Sequence, residues 1–187
     1  MSREEKEIFL NQKARVIWLT GLSGAGKTTL AKQLEKELVS RGYLAQILDG
    51  DNIRTGINNN LGFSPEDRYE NIRRIAEISK LFLHCGIITI NCFISPTEEI
   101  REMARHIIGA ADFIEIYVNA PLDICEERDV KGLYSRARRG EIKEFTGITA
   151  PFEVPRKHDL EVRTDLCSVE ESVKQILELA LTRIELK

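Results

Sequence analysis

The chain has 187 residues, of which 42% are hydrophobic and 30% are charged, and its formal net charge is −3. These values are typical of one globular domain, and the weakly acidic balance argues against a non-specific binder of nucleic acid or of an anionic membrane. Residues 1–13 are too charged for a signal peptide, and no run of 18 apolar residues occurs, so we expect a cytoplasmic protein. The four cysteines form no C-x-x-C pair, which argues against a zinc site.

Apolar runs alternate with helical patterns along the sequence. The runs predict five strands, at 15–20, 44–48, 87–93, 113–118 and 160–163. Helical spacing and capping residues predict helices at 27–40, from Ser64 to Gly86, from Ser95 to Gly109, at 121–129 and from Ser168 onward. The alternation predicts an α/β fold, in which a five-stranded parallel sheet carries helices on both faces within a single domain over residues 1–187.

The first predicted strand leads into a phosphate-binding pattern. Residues 21–28 read GLSGAGKT and match G-x-x-x-x-G-K-[ST] between a predicted strand and a predicted helix. This pattern indicates the three-layer fold of the P-loop nucleoside-triphosphate hydrolases. Lys27 is expected to reach the β- and γ-phosphates of ATP, and the Thr28 hydroxyl to bind Mg²⁺. The alternative is a glycine-rich turn that only caps a helix.

Two acidic residues, Asp49 and Asp51, follow the second predicted strand. Loops after parallel strands face the ligand crevice, and an extended backbone would place both side chains on the same side. We expect Asp51 to orient or deprotonate an acceptor hydroxyl, and Asp49 to support Mg²⁺ through water. The alternative is a solvated acidic turn around Gly50.

A polar and cationic cluster follows Asp51. Its members are Asn52, Arg54, Arg68, Asn71, Arg73 and Arg74. Because the arginine fork matches sulfate and phosphate oxygens, the cluster predicts an anionic acceptor, with Phe63 available to stack on a base. For Arg73 and Arg74 the alternative is a solvated helix face.

Residues 128–147 form a long, irregular and basic segment. Its cations are Arg128, Lys131, Arg136, Arg138, Arg139 and Lys143. Together with Gly132 and Gly140, they are typical of a lid, at about residues 130–150, that closes over anionic substrates and excludes water. The alternative is a solvated or RNA-binding loop.

These motifs resemble those of the adenylylsulfate kinase (APS kinase) family. The resemblance extends from about Arg15 to the final helix, and its motifs are GLSGAGKTTLA, LDGDNIR, LGFSPEDRYENIRR, FISP and RDVKGLYSRARRGEIKEFTGI. It implies transfer of the γ-phosphoryl group of ATP to the ribose 3′-hydroxyl of adenylyl sulfate (APS), in sulfate assimilation. The products would be ADP and 3′-phosphoadenylyl sulfate. It also implies a Mg²⁺ requirement, a homodimer and a functional link to ATP sulfurylase.

The resemblance also implies the residues of each subsite. The APS site would comprise Asp51, Asn52, Arg54, Phe63, Arg68, Asn71, Ile94, Ser95, Lys131 and Phe145. ATP contacts would come from Gly21, Leu22, Ser23, Gly24, Ala25, Gly26, Lys27, Thr28 and Thr29, with Arg128 and Cys167 near the adenine. The residues that we expect to be catalytic are Lys27, Asp51, Ser95 and Lys131.

Ser95 has two possible roles in this sequence. As part of Ser-Pro-x-Glu it could be the N-cap of a helix, or it could contact substrate. The matching serine is often described in the family as a phosphoserine intermediate. We expect direct transfer instead, because P-loop kinases normally move the phosphoryl group in line from donor to acceptor.

Two departures from the family pattern carry expectations of their own. Ala45 stands where some members have a regulatory cysteine, and residues 1–20 contain no cysteine, so we expect no redox switch. The chain is too short to include an ATP sulfurylase domain, so we expect a stand-alone kinase.

Three other functions compete with this interpretation. Another P-loop small-molecule kinase would differ only in its acceptor motifs. A GTP switch protein would need an N-K-x-D motif, which does not occur. An inactive nucleotide-binding domain would be expected to lack Lys27 or the acidic pair.

Overall fold

The computed structural model describes residues 1–186, apart from the side chain of Asp51. Its elements run in the order α1 (Arg3–Leu10), β1 (Val16–Thr20), α2 (Lys27–Ser40), β2 (Ala45–Asp49), α3 (Gly50–Thr55), α4 (Pro65–His84), β3 (Ile88–Cys92), α5 (Glu98–Ile108), β4 (Phe113–Asn119), α6 (Leu122–Arg128), α7 (Leu133–Arg138), β5 (Leu160–Arg163) and α8 (Val169–Ile184). No helix among residues 1–186 combines the length and the apolar character that crossing a membrane requires.

The five strands form one sheet in the order β2-β3-β1-β4-β5, and every neighbouring pair is parallel. This confirms the predicted α/β class and the predicted parallel sheet. β3 is buried along its whole length, as its uncharged sequence predicts. Because β1 lies in the centre, the loop that follows it opens at the middle of the carboxyl edge.

Helices cover both faces of the sheet. Alternate residues of β1 point to opposite sides, so this strand contributes to a separate core on each face. Ile17 and Leu19 belong to a core with residues of α2 and α8. Val16 and Trp18 belong to a second core with residues of α4 and α5. The predicted three-layer arrangement is therefore confirmed.

Three short helices were not predicted. A capping box between Ser2 and Glu5 begins α1, although the charged sequence there suggested no element. α3 begins at Gly50, so the extended backbone expected to reach Asp51 ends at Asp49. α7 lies within the lid, where the side chain of Asp129 accepts hydrogen bonds from the backbone N–H groups of the first turn.

The predicted helix cap at Ser95 is wrong. α5 begins at Glu98, and its N-cap is Thr97, whose hydroxyl accepts a hydrogen bond from the backbone N–H of Ile100. Ser95 lies outside the helix. Its hydroxyl does not cap α5 but accepts a hydrogen bond from the Trp18 indole.

Candidate active site

The P-loop joins β1 to α2 and packs closely against the chain around it. A Cβ atom at Gly21 would collide with the carbonyl oxygen of Val118. Gly24 has a φ of 76°, and a Cβ there would lie 2.8 Å from the carbonyl oxygen of Cys125. Only glycine fits at these two positions, so the loop keeps the shape that aims backbone N–H groups toward a bound phosphate.

Lys27 begins α2 and lies against the same loop. Its Nζ donates hydrogen bonds to the carbonyl oxygens of Gly21 at 2.9 Å and Leu22 at 2.7 Å. Burial lowers the pKa of Lys27 to about 8, so the ammonium is still charged at neutral pH. A buried cation beside the phosphate cradle is suited to stabilising phosphoryl charge.

Thr28 and Asp49 connect the first turn of α2 to the end of β2. The Thr28 hydroxyl donates a hydrogen bond of 2.7 Å to a carboxylate oxygen of Asp49, which is buried. Hydroxyl and carboxylate oxygens fit Mg²⁺, which proteins usually hold together with substrate phosphates. Within the described residues no group of three or more His, Cys, Asp or Glu side chains could hold a metal without such phosphates.

The position of Asp51 relative to this pair stays a prediction. Its side chain lies outside the described part of the structure, so the expected contact with an acceptor hydroxyl is not tested.

A cleft of about 980 Å³ opens above the P-loop and collects most of the predicted site residues. The predicted residues that line it are Ser23, Gly24, Gly26, Lys27, Thr28, Thr29, Asp49, Arg54, Phe63, Arg68, Asn71, Ile94, Ser95, Arg128, Lys131, Phe145 and Cys167. Asn52 is exposed on α3 and does not line the cleft, nor do Gly21, Leu22 and Ala25. The volume is at the upper end of the range for small-molecule sites.

One side of the cleft is an aromatic platform between two cations. The guanidinium carbon of Arg54 lies 4.4 Å from the ring centroid of Phe63, and that of Arg68 lies 5.9 Å from it. Burial lowers the pKa of both arginines, and their mutual repulsion lowers the pKa of Arg68 further. Two clustered guanidinium groups beside an exposed ring can bind a planar base and an anionic group together.

Asn71 has a supporting role beneath this platform. Its side-chain oxygen accepts a hydrogen bond of 2.9 Å from the amide of Asn58, and both residues are buried. The pair ties α4 to the loop after α3 and so holds that wall of the cleft in place.

The predicted lid segment contacts both α4 and the P-loop. From α4, Arg68 donates hydrogen bonds to the Thr146 hydroxyl at 2.8 Å and to the carbonyl oxygen of Glu144 at 2.6 Å. From α7, the Tyr134 hydroxyl donates to the carbonyl oxygen of Ser23 at 2.8 Å. Phe145 packs edge-on against Tyr134, with ring centroids 5.0 Å apart.

Arg128 joins the P-loop to the segment after β5. Its guanidinium donates to the carbonyl oxygens of Thr164 at 2.7 Å and Gly24 at 3.2 Å. The Thr164 hydroxyl in turn donates to the carbonyl oxygen of Ala25 at 2.8 Å. Cys167 is half-buried shortly after Thr164, at the same end of the cleft.

Ser95 lines the cleft from the turn between β3 and α5. Its φ is 47°, in the left-handed region, where a residue with a side chain loses about 1–3 kcal/mol unless its surroundings hold it. The residue is buried, and the indole Nε1 of Trp18 donates a 2.9 Å hydrogen bond to its hydroxyl. The hydroxyl is therefore engaged within the protein.

A family model described as adenylylsulphate kinase matches residues 13–163. The chain belongs to the adenylylsulphate kinase family. An adenylyl-sulfate kinase of Bacteroides thetaiotaomicron is 63% identical over 187 residues, which are 100% of this chain and 93% of that protein. The family predicted from the sequence motifs is thus confirmed.

Solved structures of kinases in the family show the same fold. The APS kinase of Mycobacterium tuberculosis in complex with AMPPNP and APS has a TM-score of 0.87 and 42% identity, over 90% of this chain and 98% of that chain. A hexameric APS kinase from Thiobacillus denitrificans has a TM-score of 0.68 and 30% identity, over 92% of this chain and 29% of that longer chain.

Four residues that line or support this adenylylsulphate kinase site are not predicted by the sequence analysis. They are Trp18, Arg101, Tyr134 and Thr164. Tyr134 stands in one of the family motifs, which could have indicated it. The other three belong to ordinary strand, helix and loop patterns, and only their contacts distinguish them.

Proposed function

We propose that this chain transfers the γ-phosphoryl group of ATP to the ribose 3′-hydroxyl of adenylyl sulfate, which yields ADP and 3′-phosphoadenylyl sulfate. The observation that carries the proposal is one cleft lined both by the P-loop and by the platform of Arg54, Phe63 and Arg68. A polyphosphate suits the first wall, and a base with a phosphosulfate group suits the second. The related M. tuberculosis kinase was solved with AMPPNP and APS, which supports the same pair of ligands here.

In the proposed mechanism both substrates bind at once and react directly. Lys27 holds the β- and γ-phosphates while charge develops on the transferred group. Thr28 and Asp49 would hold Mg²⁺, which neutralises phosphate charge when bound. Asp51 is proposed to orient the 3′-hydroxyl or to accept its proton, and Lys131 to contribute positive charge from the lid. Closure by the lid excludes water, so that APS rather than water receives the phosphoryl group.

The proposed assembly is a homodimer that works in the cytoplasm, where ATP is available, on APS supplied by an ATP sulfurylase. The hexameric T. denitrificans relative shows that another assembly occurs in a longer chain. Light scattering on the purified protein distinguishes a dimer from a monomer and from a hexamer.

A coupled assay of ADP release, with ATP and Mg²⁺, tests the proposed acceptor. We expect turnover with APS and little with a sugar acid or with adenosine 5′-monophosphate, which lacks the sulfate. A clear preference for either of these acceptors would favour another P-loop small-molecule kinase and contradict the proposal.

Two arginines of α4 provide a matched pair of variants for the same assay. Arg68→Ala should raise the KM for APS, because Arg68 lines the cleft. Arg73→Ala is the control, because Arg73 is on the same helix but pairs with Glu70 at 2.7 Å and does not line the cleft. Equal effects of the two variants would count against the proposal that APS binds at the platform of Arg54, Phe63 and Arg68.

A further inference from the structure

The turn between β3 and α5 lines the cleft, and three of its successive carbonyl groups accept hydrogen bonds from other parts of the chain. The Thr20 hydroxyl donates to the carbonyl oxygen of Ile94 at 2.7 Å, and Arg101 donates to that of Ser95 at 2.8 Å. The backbone N–H of Glu153 donates to the carbonyl oxygen of Pro96 at 2.8 Å. The donors come from β1, from α5 and from the segment after the lid.

The donor from α5 is unusual because it is a buried charge. Arg101 is only 1% exposed, although its side chain is large and cationic. Its guanidinium lies 2.7 Å from a carboxylate oxygen of Glu98 and 3.3 Å from one of Glu115. Burying such a group costs desolvation energy that an apolar side chain of similar size avoids, so the ion pairs are weak evidence for a role in stability.

The position of the guanidinium is nevertheless closely determined. Glu115 is buried in β4, and its second carboxylate oxygen lies 2.6 Å from Arg105. The backbone N–H of Glu115 donates to Asp159 at 2.8 Å. The Arg101 guanidinium is therefore held between Glu98 on its own helix and Glu115 on the sheet, and it in turn holds the carbonyl group of Ser95.

The Ser95 backbone needs this support, because its φ of 47° is in the left-handed region. Trp18 holds the side chain and Arg101 holds the carbonyl group of the same residue. Ile94, Ser95 and Pro96 all line the cleft, as do Asn71 and Phe63. A shift of this turn would move acceptor contacts while the P-loop stayed in place.

We propose that Arg101 is a positioning residue for the acceptor: through the Ser95 carbonyl group it sets the wall against which APS binds. This inference rests on the proposed function, because APS is its ligand. Arg101 touches no substrate and acts only through the turn. Its loss therefore weakens acceptor binding and slows transfer but leaves the ATP site intact.

Arg101→Met tests the inference, with Arg105→Met as the matched control. Both variants remove an arginine of α5 that pairs with Glu115, but only Arg101 contacts the turn. The Kd for APS is measured from the fluorescence of Trp18, the single tryptophan of the chain, which is bonded to Ser95. KM for APS, kcat, the Kd for AMPPNP and urea unfolding complete the comparison.

We expect Arg101→Met to raise the Kd and KM for APS by about tenfold or more and to lower kcat, because small misplacements of reacting groups have large effects on rate. The Kd for AMPPNP should change less than about twofold. Arg105→Met should reduce stability and leave the Kd for APS within about twofold of wild type. If Arg101→Met does not fold, Arg101→Lys replaces it, since a lysine keeps the charge but not the fork that reaches Ser95 and two carboxylates.

The outcomes distinguish failure of the inference about Arg101 from failure of the proposed function. An APS affinity unchanged in the Arg101 variant, or shifted equally in both variants, overturns the inference alone. Wild-type protein that neither binds nor phosphorylates APS overturns the proposed function, and the inference with it.

Discussion

The indole Nε1 of Trp18 donates a hydrogen bond of 2.9 Å to the hydroxyl of Ser95, across 77 positions of the chain. Ser95 is 1% exposed, so its hydroxyl is directed into the protein rather than presented to ATP. A nucleophile would need an adjacent base and a path to the γ-phosphate. The geometry therefore favours direct transfer between the two substrates over a phosphoserine intermediate.

Ser95→Ala should leave a folded and active enzyme. The substitution removes the acceptor of a buried indole N–H, which costs about 1–3 kcal/mol of unfolding free energy. Turnover should fall only moderately, because no covalent step depends on the hydroxyl. Thr97→Ala is the control, because it removes the actual cap of α5 and should cost about 0.5–2 kcal/mol.

Urea denaturation and steady-state kinetics measure these effects, and ³²P labelling tests the covalent route. A folded but inactive Ser95→Ala variant, together with wild-type enzyme labelled by [γ-³²P]ATP in the absence of APS, would contradict direct transfer.

Lys27→Ala should lower kcat by several orders of magnitude with little change in secondary structure. The ammonium is buried beside the phosphate cradle, where a fixed charge interacts strongly with phosphoryl oxygens. Lys36→Ala provides the control, because Lys36 lies exposed on the same helix. Circular dichroism checks folding, and retention of more than about a tenth of wild-type turnover would exclude the assigned role.

The order of the strands, the main helices and the P-loop could be predicted from the sequence, because apolar runs and a glycine-rich motif are local signals. The Ser95 turn was not, because Ser95 and Thr97 are both acceptable caps in Ser-Pro-Thr-Glu. The choice between them depends on Trp18 and Arg101, which lie on other elements. The periodicity of α5 likewise could not show that Arg101 is buried, since its carboxylate partner Glu115 is on β4.

The charge of residues 128–147 predicts a lid, which stays a prediction, but it does not indicate how this segment is attached to the rest of the chain. Arg138 and Arg139 are among the cations that the sequence predicts for the lid. Both are exposed, and they pair with Glu126 and Glu141 respectively. Lys131 and Arg136 are the lid cations that line the cleft among the described residues. Tyr134 forms the lid's contact with the P-loop, which no charge pattern could indicate.

Tyr134→Phe should weaken the coupling between lid and P-loop. It removes the hydroxyl that donates to Ser23 and keeps the ring that packs on Phe145. We expect kcat to fall several-fold and ATP hydrolysis without APS to rise relative to transfer, because a loosened lid admits water. Tyr117→Phe is the control, since Tyr117 stacks on Phe152 outside the cleft. Equal partitioning between hydrolysis and transfer in both variants would show that Tyr134 has no such role.

The cysteines should not form a redox switch. Burial raises the pKa of Cys92 to about 12, so very little of this thiol is ionised at pH 8. Since the thiolate is the reactive form, Cys92 should be alkylated slowly in the native protein. Cys85 is exposed and precedes β3, whereas Cys92 ends it, and the strand spans about 13 Å, which is too far for a disulfide.

Mass spectrometry after iodoacetamide treatment of the native protein at pH 8 should show that Cys85 reacts and that Cys92 does not. Activity should be nearly equal in dithiothreitol and in oxidised glutathione. Rapid labelling of Cys92, or a large and reversible change in activity between the two conditions, would be evidence for a switch.

Transfer of the γ-phosphoryl group from ATP to the 3′-hydroxyl of APS can be tested through the structure of the product. Purified protein is incubated with ATP, Mg²⁺ and APS, and the product is analysed by mass spectrometry and ³¹P NMR. We expect one new phosphomonoester, coupled to the ribose 3′ position, with one ADP formed per product. A phosphate on another position, or ADP released with inorganic phosphate and unchanged APS, would contradict it.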